Sequence, residues 1–435
     1  MTGPQTDTVV HTLPNGVRVL TCPMPHLATA SVSVFVRSGS VHESRRLNGI
    51  SHVIEHMVFK GTAGRSRRRI NLDAESLGAE VNAHTDKDHT AFHMQGLAAH
   101  APQFVQMLGD LVAQPRFPAD EFEHEREVLL AEFTEDEDDA MSCAFKLFDK
   151  ACFGAHALAR SVIGTRANIE AFSRDALAVH HAQHYTGGNI IVAAAGAVVH
   201  AEIERAAQAA LGGLAMGSAP SVSAARYRGG LASRQIAGTG QAHLVIGFAT
   251  PGLADDDASS ALAAAVLGEG MSSPLMERLR EELGYVYYTA CSADVFEAGG
   301  QFVIEASMAP NRLDATAAEI ARLLALQCRR VREVDVQRAR HQLLVRRLRA
   351  LERPAQRLED AALELFALGR VRSAAEHTAR IEALGAADVR RAFARMRAAG
   401  PSLAVTGHTG RGVRARLRAA WEGAGGGALY ASFNR

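Results

Sequence analysis

The chain lacks the features that would tie it to a membrane, a nucleic acid or an oxidising compartment. It has no run of about 18 apolar residues, the length a spanning helix needs, so no transmembrane segment is expected. Lys plus Arg number 47 and Asp plus Glu number 47, a balance that gives no net pull toward nucleic acid or anionic lipid. The five cysteines (Cys22, Cys143, Cys152, Cys291 and Cys328) are odd in number, scattered and free of any Cys-x-x-Cys. They argue against a disulfide frame and for reduced thiols, hence a cytoplasmic protein. The opening MTGPQTDTVVHTLPNG has no basic stretch leading into an apolar one, so no secretory signal is expected. What is present is ordinary for a globular protein, with 47% hydrophobic and 22% charged residues. At 435 residues there is room for two cores of about 200 residues each.

The stretch that stands out is Gly49 to Thr62, GISHVIEHMVFKGT. On a helix, positions three and four apart share a face, so His52 and His56 aim at one point with Glu55 beside them. Two neutral imidazoles suit a borderline metal such as zinc. A neighbouring carboxylate that stays off the metal can take a proton from water. The order His-x-x-Glu-His reverses the commoner His-Glu-x-x-His zinc helix. Ile50, Val53, Ile54, Met57 and Val58 can pack the rest of the helix into a core.

Along the chain, Thr8–Leu13 and Val17–Cys22 read as strands joined at Pro14-Asn15-Gly16. Ala30–Arg37 alternates like a strand. A helix over Leu72–Leu77 ends at Gly78, and Glu80–Thr85 and Thr90–Met94 read as strands. Helices follow over Ala101–Ala113 and over Ala119–Asp139, the second densely acidic with Glu125 and Glu132 two turns apart. Ser173 caps a helix running to His184, Asn189–Ala195 is a strand, and His200–Leu211 a helix. The small, polar residues 216–233 form a linker between domains 1–215 and 234–435. The plan then recurs: a strand at Ala242–Phe248, helices near 256–267 and 273–283, strands near 286–294 and 301–307, long helices within 312–396 and a late strand at Ser402–Thr406. The second copy lacks His-x-x-Glu-His, and the glycine-rich tail is expected to fray. A catalytic zinc takes three protein ligands and leaves one position open. Composition alone does not choose the third among Glu80, Asp88, Glu125 and Glu132.

These features resemble the pitrilysin-type inverzincin metallopeptidases, in the subgroup of the mitochondrial processing peptidase β subunit. That family carries His-x-x-Glu-His and, about 75 residues on, a Glu in a Glu-Arg-x-Val-Ile-x-x-Glu segment. Here HVIEHMVFKGT and the segment from Glu125 to Glu132, EREVLLAE, are similar to the two. The resemblance implies Glu132 as third zinc ligand and Glu125 as a carboxylate that supports the site without binding metal. AESLGAEVNAHTDKDHTAFH resembles the family's edge-strand region, which implies that Asn82 and Ala83 bind extended peptide by strand addition. HALARSVIGT and LGEGMSSPLMERLREELGYVYYTACSA also follow the family, and Arg280 and Tyr287 match its substrate-binding Arg and Tyr. Tyr285 and Tyr288, which flank Tyr287, are expected to pack or face solvent. The chain departs from the family in having His84 where an aromatic is frequent, Asp88 where Glu is common and Pro274 where Arg is common. His84 and His89 are expected to be satisfied edge-strand side chains.

The resemblance thus implies an α+β fold of two similar domains, each a mainly antiparallel sheet packed with helices, that form half of a clam-shell chamber. The implied activity is a zinc endopeptidase acting on peptides or unfolded segments, with Glu55 as general base and Arg280 and Tyr287 assisting. The expected partners are a peptide substrate and a second copy, or an inactive homologue in a heterodimer that trims one dedicated precursor. Neither nucleic acid nor membrane is expected as a partner. The rival of another class is a non-catalytic peptide-binding or scaffold subunit.

Overall fold

The computed structural model describes residues 8–255 and 257–429. Its strands are β1 (Val9–Thr12), β2 (Arg18–Pro23), β3 (Thr29–Val36), β4 (Glu80–Thr85), β5 (Thr90–Leu97), β6 (Ile190–Gly196), β7 (Gly230–Gln235), β8 (Ala242–Thr250), β9 (Val286–Phe296), β10 (Gly299–Met308) and β11 (Ser402–Gly407). The helices of the first half are α1 (Ile50–Val58), α2 (Arg67–Ser76), α3 (Ala101–Ala113), α4 (Ala119–Asp138), α5 (Ala140–Phe153), α6 (Arg166–Ala171), α7 (Arg174–His184) and α8 (His200–Leu211). Those of the second are α9 (Ser259–Gly268), α10 (Pro274–Met276), α11 (Leu313–Arg329), α12 (Glu333–Leu351), α13 (Pro354–Leu368), α14 (Ala374–Glu382), α15 (Ala386–Ala399) and α16 (Val413–Gly423).

The strands form two sheets of one plan, β1-β2-β6-β3-β5-β4 and β7-β11-β8-β10-β9. Each contains a single parallel pair, β2 with β6 and β7 with β11, and is otherwise antiparallel. Apart from the extra β1, the second order repeats the first strand for strand. The repeat expected from the sequence, with two similar mainly antiparallel domains, is therefore present.

Contacts group the chain into two compact units. The first comprises residues up to Phe133, Ser161–Val222 and Leu348–Ser373; the second comprises Thr134–Arg160, Ser223–Arg347 and residues from Ala374 onward. Each sheet is thus covered on one face by helices of its own sequence half and on the other by a helix from the opposite half. In the first unit, alternation along β3 sends Val32, Val34 and Val36 toward α1 and α3, and Phe35 to the opposite face. There Leu358, Ala361, Ala362 and Leu365 of α13 close over Leu20, Cys22, Phe35, Ile191 and Ala193. In the second unit α5 packs on β7, β8 and β11. A Cβ on Gly247 of β8 would stand 2.5 Å from the Phe148 ring of α5, so the helix sits directly on backbone there. Leu244, Ile246, Phe302 and Ile304 face Leu262, Ile320, Phe393 and Trp421 on the other side.

Several local expectations need correction. The helix expected from Leu72 begins at Arg67, because Ser66 caps it by accepting from the Arg69 amide. Residues 230–233, assigned to the linker, are the start of β7: Leu231 is buried and pairs in parallel with Leu403, a partner 172 positions away that local composition does not reveal. In the tail, α16 is well formed, Trp421 is fully buried beneath Gly426, and Leu429 joins the core. The helix near 273–283 is a short α-turn that passes into a π-helical turn, Glu277–Glu282.

Beside α7 lies a group of imidazoles, with His180 buried and His42 and His184 partly so. His180 stacks on His184 at 4.2 Å and meets the Ser38 hydroxyl at 3.2 Å, while His42 takes a hydrogen bond from the Gly39 amide. Burial first, then the like charges of neighbouring histidines, pushes His42 and His180 down to about 3 from 6.5. The folded state therefore keeps them neutral while the unfolded chain takes up protons below 6.5. Stability is full above that value and falls as the pH drops toward 3. Acidification from about pH 7 to about pH 5 should cost about 2 kcal/mol through His180 alone. Urea unfolding across that range should show the loss, with a shallower slope in His180→Gln.

Candidate metal centre

The site begins with how α1 is held. The first amides of a helix lack intrahelical acceptors and carry partial positive charge. Here the buried carboxylate of Glu43 accepts from the amides of Gly49 (2.7 Å) and Ser51 (2.8 Å) and from the Asn48 side chain (3.0 Å). Burial pushes the Glu43 carboxyl up, opposed by these hydrogen bonds. Gly49 enters the helix at φ +102°, and a Cβ there would lie 2.8 Å from the Ile163 carbonyl oxygen and 2.9 Å from Cα of Gly164. Only glycine fits that conformation and that approach. Neither Glu43 nor this packing is legible in the sequence, because an acid seven positions before Ile50 matches no local capping pattern.

Ile50, Val53, Ile54, Met57 and Val58 are buried, leaving His52, Glu55 and His56 on the half-buried face. The two imidazole rings stand 4.7 Å apart. From α4, Glu132 reaches them both: His52 Nε2 lies 3.5 Å from Oε1, and His56 Nε2 lies 3.7 Å from Oε2. One donor atom from each of His52, His56 and Glu132 lies within 4.8 Å of the others. Two turns earlier on α4, Glu125 Oε1 accepts from His56 Nδ1 at 2.8 Å, and its other oxygen pairs with the Lys60 ammonium. Burial would raise the Glu125 carboxyl, but the bonds from His56 and Lys60 outweigh it and hold the group below the usual range. With Nδ1 as the donor to Glu125, His56 keeps the Nε2 lone pair for the side facing Glu132.

Glu55 lies beside this group and accepts from the Thr85 hydroxyl at 2.6 Å. Its burial raises the carboxyl above the ordinary value, against the Thr85 hydrogen bond and the field of His56. Thr85 ends β4, which is the edge of its sheet. Asn82 and Ala83 lie on that strand, with Asn82 exposed and its Oδ1 accepting from the Ala83 amide. His84 and His89, next along, are both bonded to Glu359 of α13.

Arg280 and Tyr287 belong to the second unit. Arg280 rides on the π-helical turn, a geometry that often marks functional segments, and is half exposed. Tyr287 projects from β9 at 62% exposure. The neighbouring tyrosines are engaged elsewhere: Tyr285 lies under Arg312, and the Tyr288 hydroxyl donates to Glu305. The donor set meets what a zinc ion requires, two nitrogens and a carboxylate oxygen with a second carboxylate fixing one imidazole.

Comparison with known proteins identifies the family. The family model for insulinase, peptidase family M16, matches residues 18–166, and that for the peptidase M16 inactive domain matches residues 171–343. A protein of Mycobacterium leprae named as an uncharacterized zinc protease is 33% identical over 324 residues, 72% of each chain. Bovine cytochrome b-c1 complex subunit 1 is 28% identical over 401 residues, 88% of this chain and 82% of that one. The crystal structure of a protease from Helicobacter pylori has the same fold, with a TM-score of 0.85 at 18% identity, covering 92% of this chain and 99% of that one. The chain belongs to the M16 peptidase family, with an insulinase-type domain followed by an M16 inactive domain.

Proposed function

We propose that the chain is a zinc-dependent endopeptidase of peptides or unfolded segments. The convergence of His52, His56 and Glu132 beside a half-buried Glu55 supports this reading most directly. His52, His56 and Glu132 would hold the ion, and Glu125 orients His56 and strengthens it as a donor. Bound there, zinc supplies Lewis acidity to a water and to the scissile carbonyl. Glu55 takes the proton of the attacking water and delivers it to the leaving amine. The Thr85 hydroxyl orients one Glu55 oxygen and leaves the other for that transfer. The unpaired edge of β4, at Asn82 and Ala83, takes substrate as an added strand. Arg280 and Tyr287 supply a cation and a hydroxyl for the developing oxyanion or the peptide backbone.

In this reading residues 1–215 and the segment from β7 onward are the two copies of the repeat, and the chain forms half of a closing chamber. A second copy, or an inactive homologue in a heterodimer, completes it, and the protein is cytoplasmic. Similarity to a respiratory-complex subunit favours a second reading, a non-catalytic scaffold. The presence together of His52, Glu55, His56 and Glu132 weighs against it.

Metal analysis and sizing of the purified protein, followed by digestion of a mixed peptide library, test the proposal. Stoichiometric zinc and metal-dependent cleavage are expected; their joint absence leaves the scaffold. Glu55→Gln should keep zinc while turnover falls by about 10²–10⁴-fold. Glu125→Gln should instead weaken zinc affinity by about 10–100-fold, read by competition with a chromophoric chelator.

A further inference from the structure

A second cluster lies where β4, the β4–β5 turn and α13 meet. Glu359 Oε1 is 2.7 Å from His89 Nε2 and 3.3 Å from His84 Nε2, and those two nitrogens are 3.3 Å apart. On its other side, His84 Nδ1 is 3.0 Å from His93 Nε2, and His93 Nδ1 is 2.7 Å from the Ser33 hydroxyl. His89 is buried, Glu359 mostly so, and the His84 side chain is 43% exposed. We propose that His84, His89 and Glu359 form a second site for a first-row transition-metal ion, with His93 orienting His84.

Tetrahedral bonds of about 2.0–2.1 Å place donor atoms about 3.3–3.4 Å apart. Two edges of the triangle already have that length, and a small rotation of the Glu359 carboxylate opens the third. The set of two imidazoles and a carboxylate suits zinc, nickel or cobalt. Exposure of His84 leaves room for a solvent molecule as fourth ligand. His84 is oriented from behind: with Nε2 on the metal, it donates from Nδ1 to His93 Nε2, and His93 donates from Nδ1 to Ser33, whereas the buried His89 Nδ1 has no hydrogen-bond partner among the described residues. Without an ion, the same atoms form a relay in which two N–H groups crowd one carboxylate oxygen. Glu359 is a polar tie between α13 and the β4–β5 hairpin, alongside the apolar contacts of Leu358 and Leu365. An ion there fastens that helix to the first sheet.

The test counts metal on the full chain after chelator stripping and dialysis against Zn²⁺ or Co²⁺, with folding checked by circular dichroism. Wild type should bind two ions, Glu359→Gln one and His52→Ala one. Zn²⁺ should raise the melting midpoint of His52→Ala and leave that of His52→Ala/Glu359→Gln unmoved. His84→Asn, at a half-exposed position, should repeat the Glu359→Gln result if that variant misfolds. One ion on wild type and on Glu359→Gln, with none on His52→Ala, overturns the second site and leaves the first standing. One ion on wild type and on His52→Ala, with none on Glu359→Gln, overturns the first and leaves the second.

Discussion

Two imidazoles on adjacent turns face a common point only if their helix cannot roll or slide, and the grip on α1 is what the rest of the centre depends on. Two buried carboxylates provide it. Glu43 closes the N-terminus by accepting from Gly49 and Ser51, and Glu125 holds the C-terminal end through His56 and Lys60. Each is desolvated, which is costly for a charge, and each is compensated by several hydrogen bonds or a cation. Between them the apolar face of α1 is locked against the sheet. His52 and His56 are thus set before any ligand arrives, which limits the ordering that binding must pay for.

The α4–α5 and α12–α13 pairs extend the same logic to the units. Residues 119–133 of α4 carry Glu125 and Glu132 to the first unit, and the chain then continues into the second, where α5 covers a sheet face. The repeat does the converse with α12 and α13. Neither sheet has both faces covered without a helix from the other half. Small residues make this closeness possible: Ala193 and Ala195 of β6 under α13, and Gly247 of β8 under Phe148.

The polar centre was partly legible in sequence. Spacing alone brings His52, Glu55 and His56 to one face, because helical geometry is local. Glu132 is not reachable that way, since α4 is acidic along most of its length and no periodicity marks one carboxylate; resemblance to a family singled it out. Glu43, Lys60, Thr85 and Glu359 escaped because their partners are fixed by tertiary packing. The strands were mostly legible, β3 from its alternation and the β1–β2 hairpin from Pro-Asn-Gly. The exchange of α5 and α13 was not, because an amphipathic pattern tells that a helix buries one face and not which sheet it meets. The short β7 was masked by glycine and small polar residues and owes its strand state to pairing with β11.

The repeat also explains why His-x-x-Glu-His occurs once. The element of the second copy that corresponds to α1 is α9, SSALAAAVLG. All but two of its residues are buried, and Gly268 at its end lies so close to β9 that a Cβ would meet the Cys291 side chain at 2.4 Å. An imidazole or carboxylate pointed into that contact would lose its hydration without a partner, at a cost of several kcal/mol. Helix α1 escapes the penalty because α4 offers carboxylates across its half-open face. The facing segment of α12 carries Arg338, whose guanidinium reaches the carbonyls of Val266 and Glu269. That cation meets the carbonyl-rich C-terminus of α9, a favourable use of the helix dipole, and the opposite of what a cation-binding helix would want beside it.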